Sequence, residues 1–104
     1  MNLAAAIEPH PAGAPALISR GKVTTYGELR SHVAEMRGAL VAGNVEPGDR
    51  VAIVAANTRS FVAAYLAVLG VGAVAVPLNP LSPAAELERQ LRVVGASLAL
   101  VGPT

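Results

Sequence analysis

Three short apolar runs, separated by stretches long enough for helices, constrain the fold more than any other feature. The runs are Arg50–Ala55, Ala73–Pro77 and Leu98–Val101. They are rich in small and β-branched side chains and do not alternate with polar residues, which is typical of strands covered on both faces. Strands that alternate with helices form parallel sheets through right-handed crossovers. The sequence therefore predicts an α/β fold, a partial three-layer parallel sheet with crossover helices.

The first predicted helix spans residues 26–42. Thr25 lies three positions before Glu28, which is the spacing of a capping box, and the helix is expected to end near Gly43. Glu28, with other charged residues, lies off an apolar stripe, so the helix is amphipathic. The stripe comprises Tyr26, Leu29, Val33, Met36 and Leu40.

Two further crossover helices are predicted at residues 58–69 and 83–94. Thr58 or Asn57 is the expected N-cap of the first of them. Ser82 precedes Pro83, which places a capping hydroxyl before a proline at the first helical position. Gly95 can end this helix. Its apolar stripe comprises Ala84, Leu87, Leu91 and Val94.

A short β-hairpin is predicted before the first helix. Residues 16–18 and 23–24 flank a turn in which Gly21 can supply a positive φ. Residues 1–15 are expected to be an N-terminal leader, and residues 16–104 one incomplete structural unit. We expect incompleteness because the last strand, ending at Val101, leaves an open sheet edge.

Composition excludes several classes of function. Hydrophobic residues make up 53% of the 104 residues and aromatics only 3%, so the core must consist of Ala, Val and Leu. The formal charge of +1 provides no field for nucleic acid. The absence of cysteine excludes disulfides, thiolate nucleophiles and cysteine-ligated metals. The chain carries no export signal, so a cytoplasmic location is expected.

The uncharged segment from Phe61 to Leu78 has to be considered as a membrane span. Gly70 and Gly72 interrupt it, and Pro77 lies near its end. A buried helix followed by a buried strand is therefore predicted, with no transmembrane span.

Two glycine patterns are similar to phosphate-binding loops. Residues 70–75 match G-x-G-x-x-A, but the glycines leave a helix and enter a strand, the reverse of the order that points helix amides at a phosphate. Gly21-Lys22 is followed by Val23 rather than by Ser or Thr, so a hairpin turn explains it better. Both patterns are interpreted as structural.

Residues that could act as bases or nucleophiles are isolated. His10 lies between two prolines in the leader, and His32 lies on the polar side of the first helix. No serine lies in a Gly-x-Ser-x-Gly elbow; the serines are Ser19, Ser31, Ser60, Ser82 and Ser97. We therefore assign no catalytic, cofactor-binding or metal-binding residue.

Four segments form an ordered series of motifs. They read Val-Thr-Thr-Tyr-Gly-Glu-Leu at 23–29, Val-Glu-Pro-Gly-Asp-Arg-Val-Ala-Ile at 45–53, Asn-Thr-Arg-Ser-Phe with Ala-Tyr-Leu-Ala-Val-Leu at 57–69, and Gly-Ala-Val-Ala-Val-Pro-Leu-Asn-Pro at 72–80. In this order they resemble the N-terminal portion of the large domain of adenylate-forming (AMP-binding) enzymes, the family of acyl-CoA synthetases, fatty-acid-CoA ligases, luciferases and peptide-synthetase adenylation domains. Each motif is weak alone, but independent motifs multiply, and with Glu86-Leu87 and Gly95-Ala96 at the expected places the series from Val23 to Val101 spans about four fifths of the chain. Departures from the family pattern are an additional Asn44 and the pair Arg59-Ser60, which affect loop geometry.

The resemblance implies that a full-length parent is a two-step acid–thiol ligase. A carboxylic acid, expected to be a fatty acid, would attack the α-phosphate of ATP to give an acyl-adenylate and pyrophosphate. A thiol, usually that of coenzyme A, would then take the acyl group, and Mg²⁺ would accompany the ATP. The present chain would be a scaffolding part whose partner is the remainder of the parent.

The resemblance also implies that this chain is inactive by itself. The family's phosphate loop, ribose-binding aspartate and catalytic lysine lie beyond the span seen here, and Asp49 belongs to a different motif from the ribose aspartate. We expect such a chain to self-associate through its open strand edge. Two alternatives stay open: a stand-alone, non-catalytic α/β binding module, and a membrane-associated protein.

Overall fold

The computed structural model describes residues 3–19, 21–56 and 59–101. A short 3-10 helix, Leu3–Ile7, opens the chain. It is followed by strands and helices in the predicted order: β1 Pro15–Ser19, β2 Lys22–Thr25, α1 Tyr26–Ala42, β3 Arg50–Val54, α2 Arg59–Gly70, β4 Val74–Leu78, α3 Ala84–Val94 and β5 Leu98–Val101.

The three apolar runs form a parallel sheet in the order β4-β3-β5. Val51 lies opposite Ala75 on one side and Leu98 on the other, which confirms the predicted pairing. β1 and β2 pair antiparallel as a separate two-stranded sheet, and Gly21 has the expected positive φ of 76°. Since β2 is not part of the parallel sheet, the prediction of α1 as a crossover is wrong, and α2 and α3 make the crossovers.

The central strand β3 is covered on both faces. Val51 and Ile53 belong to the core formed with α1 and α2, and both are fully buried. Ala52 and Val54 point to the opposite face and are buried as well. The crossovers from β3 to β4 and from β4 to β5 run in opposite directions across the sheet, so right-handedness places α3 opposite α2. This three-layer arrangement is the predicted fold class.

The core is aliphatic, as composition predicts. Its largest fully buried side chains are Leu29, Leu40, Val51, Ile53 and Val68. The aromatic residues Tyr26, Phe61 and Tyr65 are only partly buried at its margin. Small side chains on α2, including Ala63 and Ala67, allow this helix to lie close to its neighbours.

The start of α1 confirms the capping box. The Thr25 hydroxyl accepts a hydrogen bond from the Glu28 amide at 3.2 Å, and the Thr25 amide donates to Glu28 Oε1 at 3.1 Å. Two further amides of the first turn, those of Tyr26 and Gly27, donate to the carbonyls of Ala14 and Ala12. The first turn is therefore satisfied from two separate segments of chain.

All three α-helices end in the same way. The residue with positive φ is Asn44 after α1 (62°), Gly72 after α2 (81°) and Gly95 after α3 (65°). The amide of the next residue reaches back five positions, as in Val45 to Leu40 O, Ala73 to Val68 O and Ala96 to Leu91 O. This is the Schellman motif. Helix α1 ends at Gly43 as predicted: Gly43 is its C-cap with a φ of −82°, and the additional asparagine after it takes the left-handed conformation.

The predicted N-cap of α3 is wrong. Because the helix begins at Ala84, Pro83 and not Ser82 occupies the N-cap position. Pro83 makes no side-chain cap. A turn before the helix holds Ser82: its amide donates to the Asn79 carbonyl, and Asn79 Oδ1 accepts the Leu81 amide at 2.9 Å. The proposed caps of α2, Asn57 and Thr58, lie outside the described residues.

The segment considered as a membrane span divides as predicted into α2, a turn and β4. Among the described residues, no helix has both the length and the apolar character needed to cross a bilayer.

Candidate functional site

Helices α1 and α2 lie side by side and run in the same direction. At their C-terminal ends, Arg37 Nη2 donates to the Gly70 carbonyl at 3.4 Å. At their N-terminal ends they border an open groove of about 680 Å³. The groove is lined by Gly27, Glu28, Ser31, His32, Glu35 and Arg59.

The charge of Glu28 in this groove is fixed by its role in the capping box. The backbone amide of Thr25 lowers the pKa of Glu28 below its ordinary value, and the Thr25 hydroxyl lowers it further. The nearby positive charges of Arg59 and Lys22 act in the same direction. Glu28 is thus a stabilised carboxylate whose hydrogen bonds close the first turn of α1.

The groove is polar but lacks a catalytic arrangement. Ser31 and His32 are adjacent on α1, and neighbouring helical side chains do not face each other, so they cannot form a nucleophile–base pair. Within the described ranges, no three His, Cys, Asp or Glu side chains are placed to hold a metal ion. His32, Glu35 and Arg59 give the groove a polar lining.

The carboxyl edge of the parallel sheet is the other place where this fold class binds ligands. The crossovers to either side of β3 make this edge a topological switch point. Of the described residues there, Ala55 and Ala56 follow β3, and Val101 ends β5. Asn79 follows β4, and its amide oxygen is bonded within the turn. The described part of this edge therefore supplies no charged side chain.

The glycine patterns have the structural roles predicted for them. Gly72 closes α2, and a Cβ there would lie 3.4 Å from Pro47 Cβ. A Cβ on Gly70 would lie 3.0 Å from Arg37 Nε, so this position is tightly packed. Gly21 and Lys22 lie in the hairpin. None of these residues forms a loop that leads from a strand into a helix.

The two histidines and Asp49 are also separated. The His10 ring stacks on Tyr26 with centroids 4.3 Å apart, whereas His32 lies in the groove. Asp49 Oδ2 accepts the Glu46 amide at 2.9 Å and so closes the turn before β3. That no site residue can be assigned stays a prediction. Sequence reasoning missed the groove, because the spacing of Glu28, His32 and Glu35 on one helix does not reveal that Arg59 lies opposite.

Comparisons with known proteins agree with this architecture. Residues 3–104 match the family described as "AMP-binding enzyme". A feruloyl-CoA synthase from Amycolatopsis sp. is 37% identical over 99 residues, covering 95% of this chain and 20% of that protein. The phenyloxazoline synthase MbtB of Mycobacterium sp. (strain MCS) is 36% identical over 91 residues, covering 88% of this chain and 8% of that protein.

A solved structure has the same fold. The benzoate CoA ligase from Burkholderia xenovorans LB400 superimposes with a TM-score of 0.86 at 30% identity, covering 97% of this chain and 21% of that one. The chain therefore spans at most about one fifth of each of these proteins. By sequence match along nearly its whole length and by fold, the chain belongs to the AMP-binding enzyme family.

Proposed function

We propose that this chain is the N-terminal scaffolding part of an adenylate-forming acid–thiol ligase. The observation that carries the proposal is the superposition on about one fifth of a benzoate CoA ligase. The aliphatic core supports a structural role. In the domain division we propose, residues 16–104 form this part and residues 1–15 precede it.

The proposed parent reaction joins a carboxylic acid to a thiol through an acyl-adenylate. ATP, Mg²⁺ and coenzyme A would serve this reaction. The described residues contain no set suited to hold a metal ion, and the groove has no phosphate loop. We propose that nucleotide, metal and thiol are bound by the rest of the ligase.

The acid substrate was expected from the resemblance to be a fatty acid. The relatives named above act on aromatic acids according to their names, feruloyl-CoA synthase and benzoate CoA ligase. A substrate panel must therefore contain both classes. A cytoplasmic location and self-association through the open edge of the sheet are further parts of the proposal.

A chimaera tests the scaffolding role. The matching segment of a benzoate CoA ligase is replaced by this chain, and benzoyl-CoA formation and pyrophosphate release are measured. We expect the chimaera to retain its acid preference, because this segment contributes the fold and not the acid pocket. A folded chimaera with an altered acid preference would contradict the proposal.

The isolated chain provides the complementary measurement. Pyrophosphate release from ATP is followed with fatty and aromatic acids, using a mock preparation as background. We expect no turnover above background, because in the proposed division the groups that stabilise the transferring phosphate belong to the rest of the ligase. Turnover above background would overturn the assignment of the chemistry to the rest of the ligase.

A further inference from the structure

Residues 5–14, here called the N-terminal strap, lie against the start of α1. The Ala14 carbonyl accepts the Tyr26 amide at 3.0 Å, and the Ala12 carbonyl accepts the Gly27 amide at 2.9 Å. The first amides of a helix have no partner within it, so these two depend on the strap. The Glu28 amide does not, because it donates to the Thr25 hydroxyl.

One arginine of α1 joins the strap at two points. Arg30 Nη1 donates to the Ile7 carbonyl at 3.0 Å and to the His10 carbonyl at 2.9 Å. These two acceptors fix the middle of the strap relative to α1. The His10 ring adds a stacked contact with Tyr26, with an interplanar angle of 14°.

The strap begins in the 3-10 helix Leu3–Ile7, which packs against α2, and its remainder, residues 8–14, has no buried side chain. Ile7 is 8% exposed and packs in the core, but it is the one buried side chain of residues 5–14. A segment with a single apolar anchor and a few hydrogen bonds at the surface opens at much lower free energy than the core. Detachment of the strap therefore does not require unfolding of the sheet.

The strap and the groove share Gly27. A Cβ at this position would lie 3.1 Å from the Ala12 carbonyl oxygen and 3.2 Å from Ala12 Cβ, so the strap needs a glycine beneath it. Gly27 also lines the groove between α1 and α2. When the strap leaves, this wall of the groove and the first turn of α1 become uncovered together.

We propose that the strap is a detachable latch on α1, held by Arg30, that opens locally and uncovers Gly27 and the first turn of α1. The inference concerns residues 5–14 and the helices that they contact, so it does not depend on the ligase reaction. Arg30 acts as a positioning residue.

Hydrogen exchange of single amides in the 104-residue chain tests the latch. Arg30→Ala is expected to speed exchange of the Tyr26 and Gly27 amides by about tenfold or more, since hydrogen bonds from a charged group are lost. The Glu28 amide and the β3 amides should keep their rates. The matched control is Arg37→Ala, which removes an arginine from the other end of α1 and should leave the Tyr26 and Gly27 amides unchanged.

Gly27→Ala gives an independent test, in which helix propensity and displacement of the strap have opposite effects on amide exchange. Alanine favours the helix, which by itself would slow exchange in the first turn. Its Cβ would displace the strap, so we expect faster exchange at the Tyr26 amide. The latch is refuted if either variant leaves the exchange rate of the Tyr26 amide unchanged. It is also refuted if this rate changes only together with the rates of the β3 amides. Both results would mean that the strap opens only when the whole chain unfolds.

Discussion

Arg50 Nη1 donates a hydrogen bond of 2.8 Å to the backbone carbonyl of Val94. Arg50 is the first residue of β3 and Val94 the last of α3, so a side chain of the sheet caps the C-terminus of a helix. The last carbonyls of a helix lack intrahelical donors and favour a positive charge. Because α3 has no fully buried residue, this bond is an important attachment of α3 to the sheet.

Removal of this cap should weaken the docking of α3. We expect Arg50→Ala to lower the free energy of unfolding by about 1 kcal/mol, a value reduced for the exposure of the bond. Urea denaturation measures the change. Arg92→Ala is the matched control, because Arg92 makes only a 3.5 Å exposed pair with Glu88 and should have little effect. Equal midpoints for the two variants would contradict the role of Arg50.

Because Asn44 and not Gly43 has the left-handed conformation, replacement by alanine should affect stability differently at these two adjacent positions. Asn44→Ala should destabilise the chain by about 1 kcal/mol, whereas Asn44→Gly should be neutral or stabilising. Gly43→Ala should cost little, because Gly43 has a negative φ and a Cβ there meets nothing closer than 3.4 Å. Thermal unfolding of the three variants compares them. If Gly43→Ala is the most damaging, the assignment of the left-handed position to Asn44 is wrong.

The contrast between Thr25 and Asn44 explains which features the sequence could predict. The capping box was found because Thr25 and Glu28 interact within one turn, so their spacing carries the information. The end of α1 near Gly43 was predicted as well, but the sequence did not reveal that Asn44 takes the positive φ, which goes with the hydrogen bond from the Val45 amide to Leu40 O. The groove was not predicted, because only the tertiary packing of α2 against α1 brings Arg59 close to the side chains of α1.

Gln90 on α3 carries a buried oxygen without a donor. Its Nε2 donates to Glu86 at 3.2 Å, but Oε1 is buried and has no hydrogen-bond partner among the described residues. Burial of a lone acceptor costs about 1–3 kcal/mol. We expect Gln90→Met, which keeps the shape of the side chain, to raise the free energy of unfolding by about 1 kcal/mol in urea denaturation. Arg89→Met should give no such gain, and a loss of stability in Gln90→Met would contradict the prediction.

Glu28 should make stability depend on pH in the acid range. The pKa of Glu28 in the folded chain is lowered from its ordinary value of 4.5, mainly by the hydrogen bond from the Thr25 amide. A depressed carboxyl pKa stabilises the fold at pH values above the unfolded pKa, and this contribution is lost as pH falls through the folded pKa. The stability difference between the unmodified chain and Glu28→Gln should therefore shrink below about pH 4.

Thermal unfolding between about pH 3 and pH 6 measures this difference across the relevant pKa range. Glu35→Gln is the control, since it removes a carboxylate from the same helix without touching the capping box. If the two glutamine variants show the same pH profile, the capping box is not the source of the dependence.

The final prediction concerns the proposed self-association through β5. The sheet has two edge strands, and β4 contains Pro77, which lacks a backbone N–H and so weakens pairing at its edge. β5 has no proline, and Val101 at its end is 75% exposed. An uncovered strand edge with apolar side chains favours pairing between copies.

Sedimentation at micromolar concentrations should therefore detect dimers or larger species. Val101→Lys places a charge at the edge of β5 and should shift the chain towards monomer. Leu81→Lys is the matched control: Leu81 is 81% exposed but lies in the loop before α3, so its replacement should leave the association intact. If the unmodified chain is monomeric, self-association is wrong. If Val101→Lys associates as strongly as the unmodified chain, the interface is not the β5 edge.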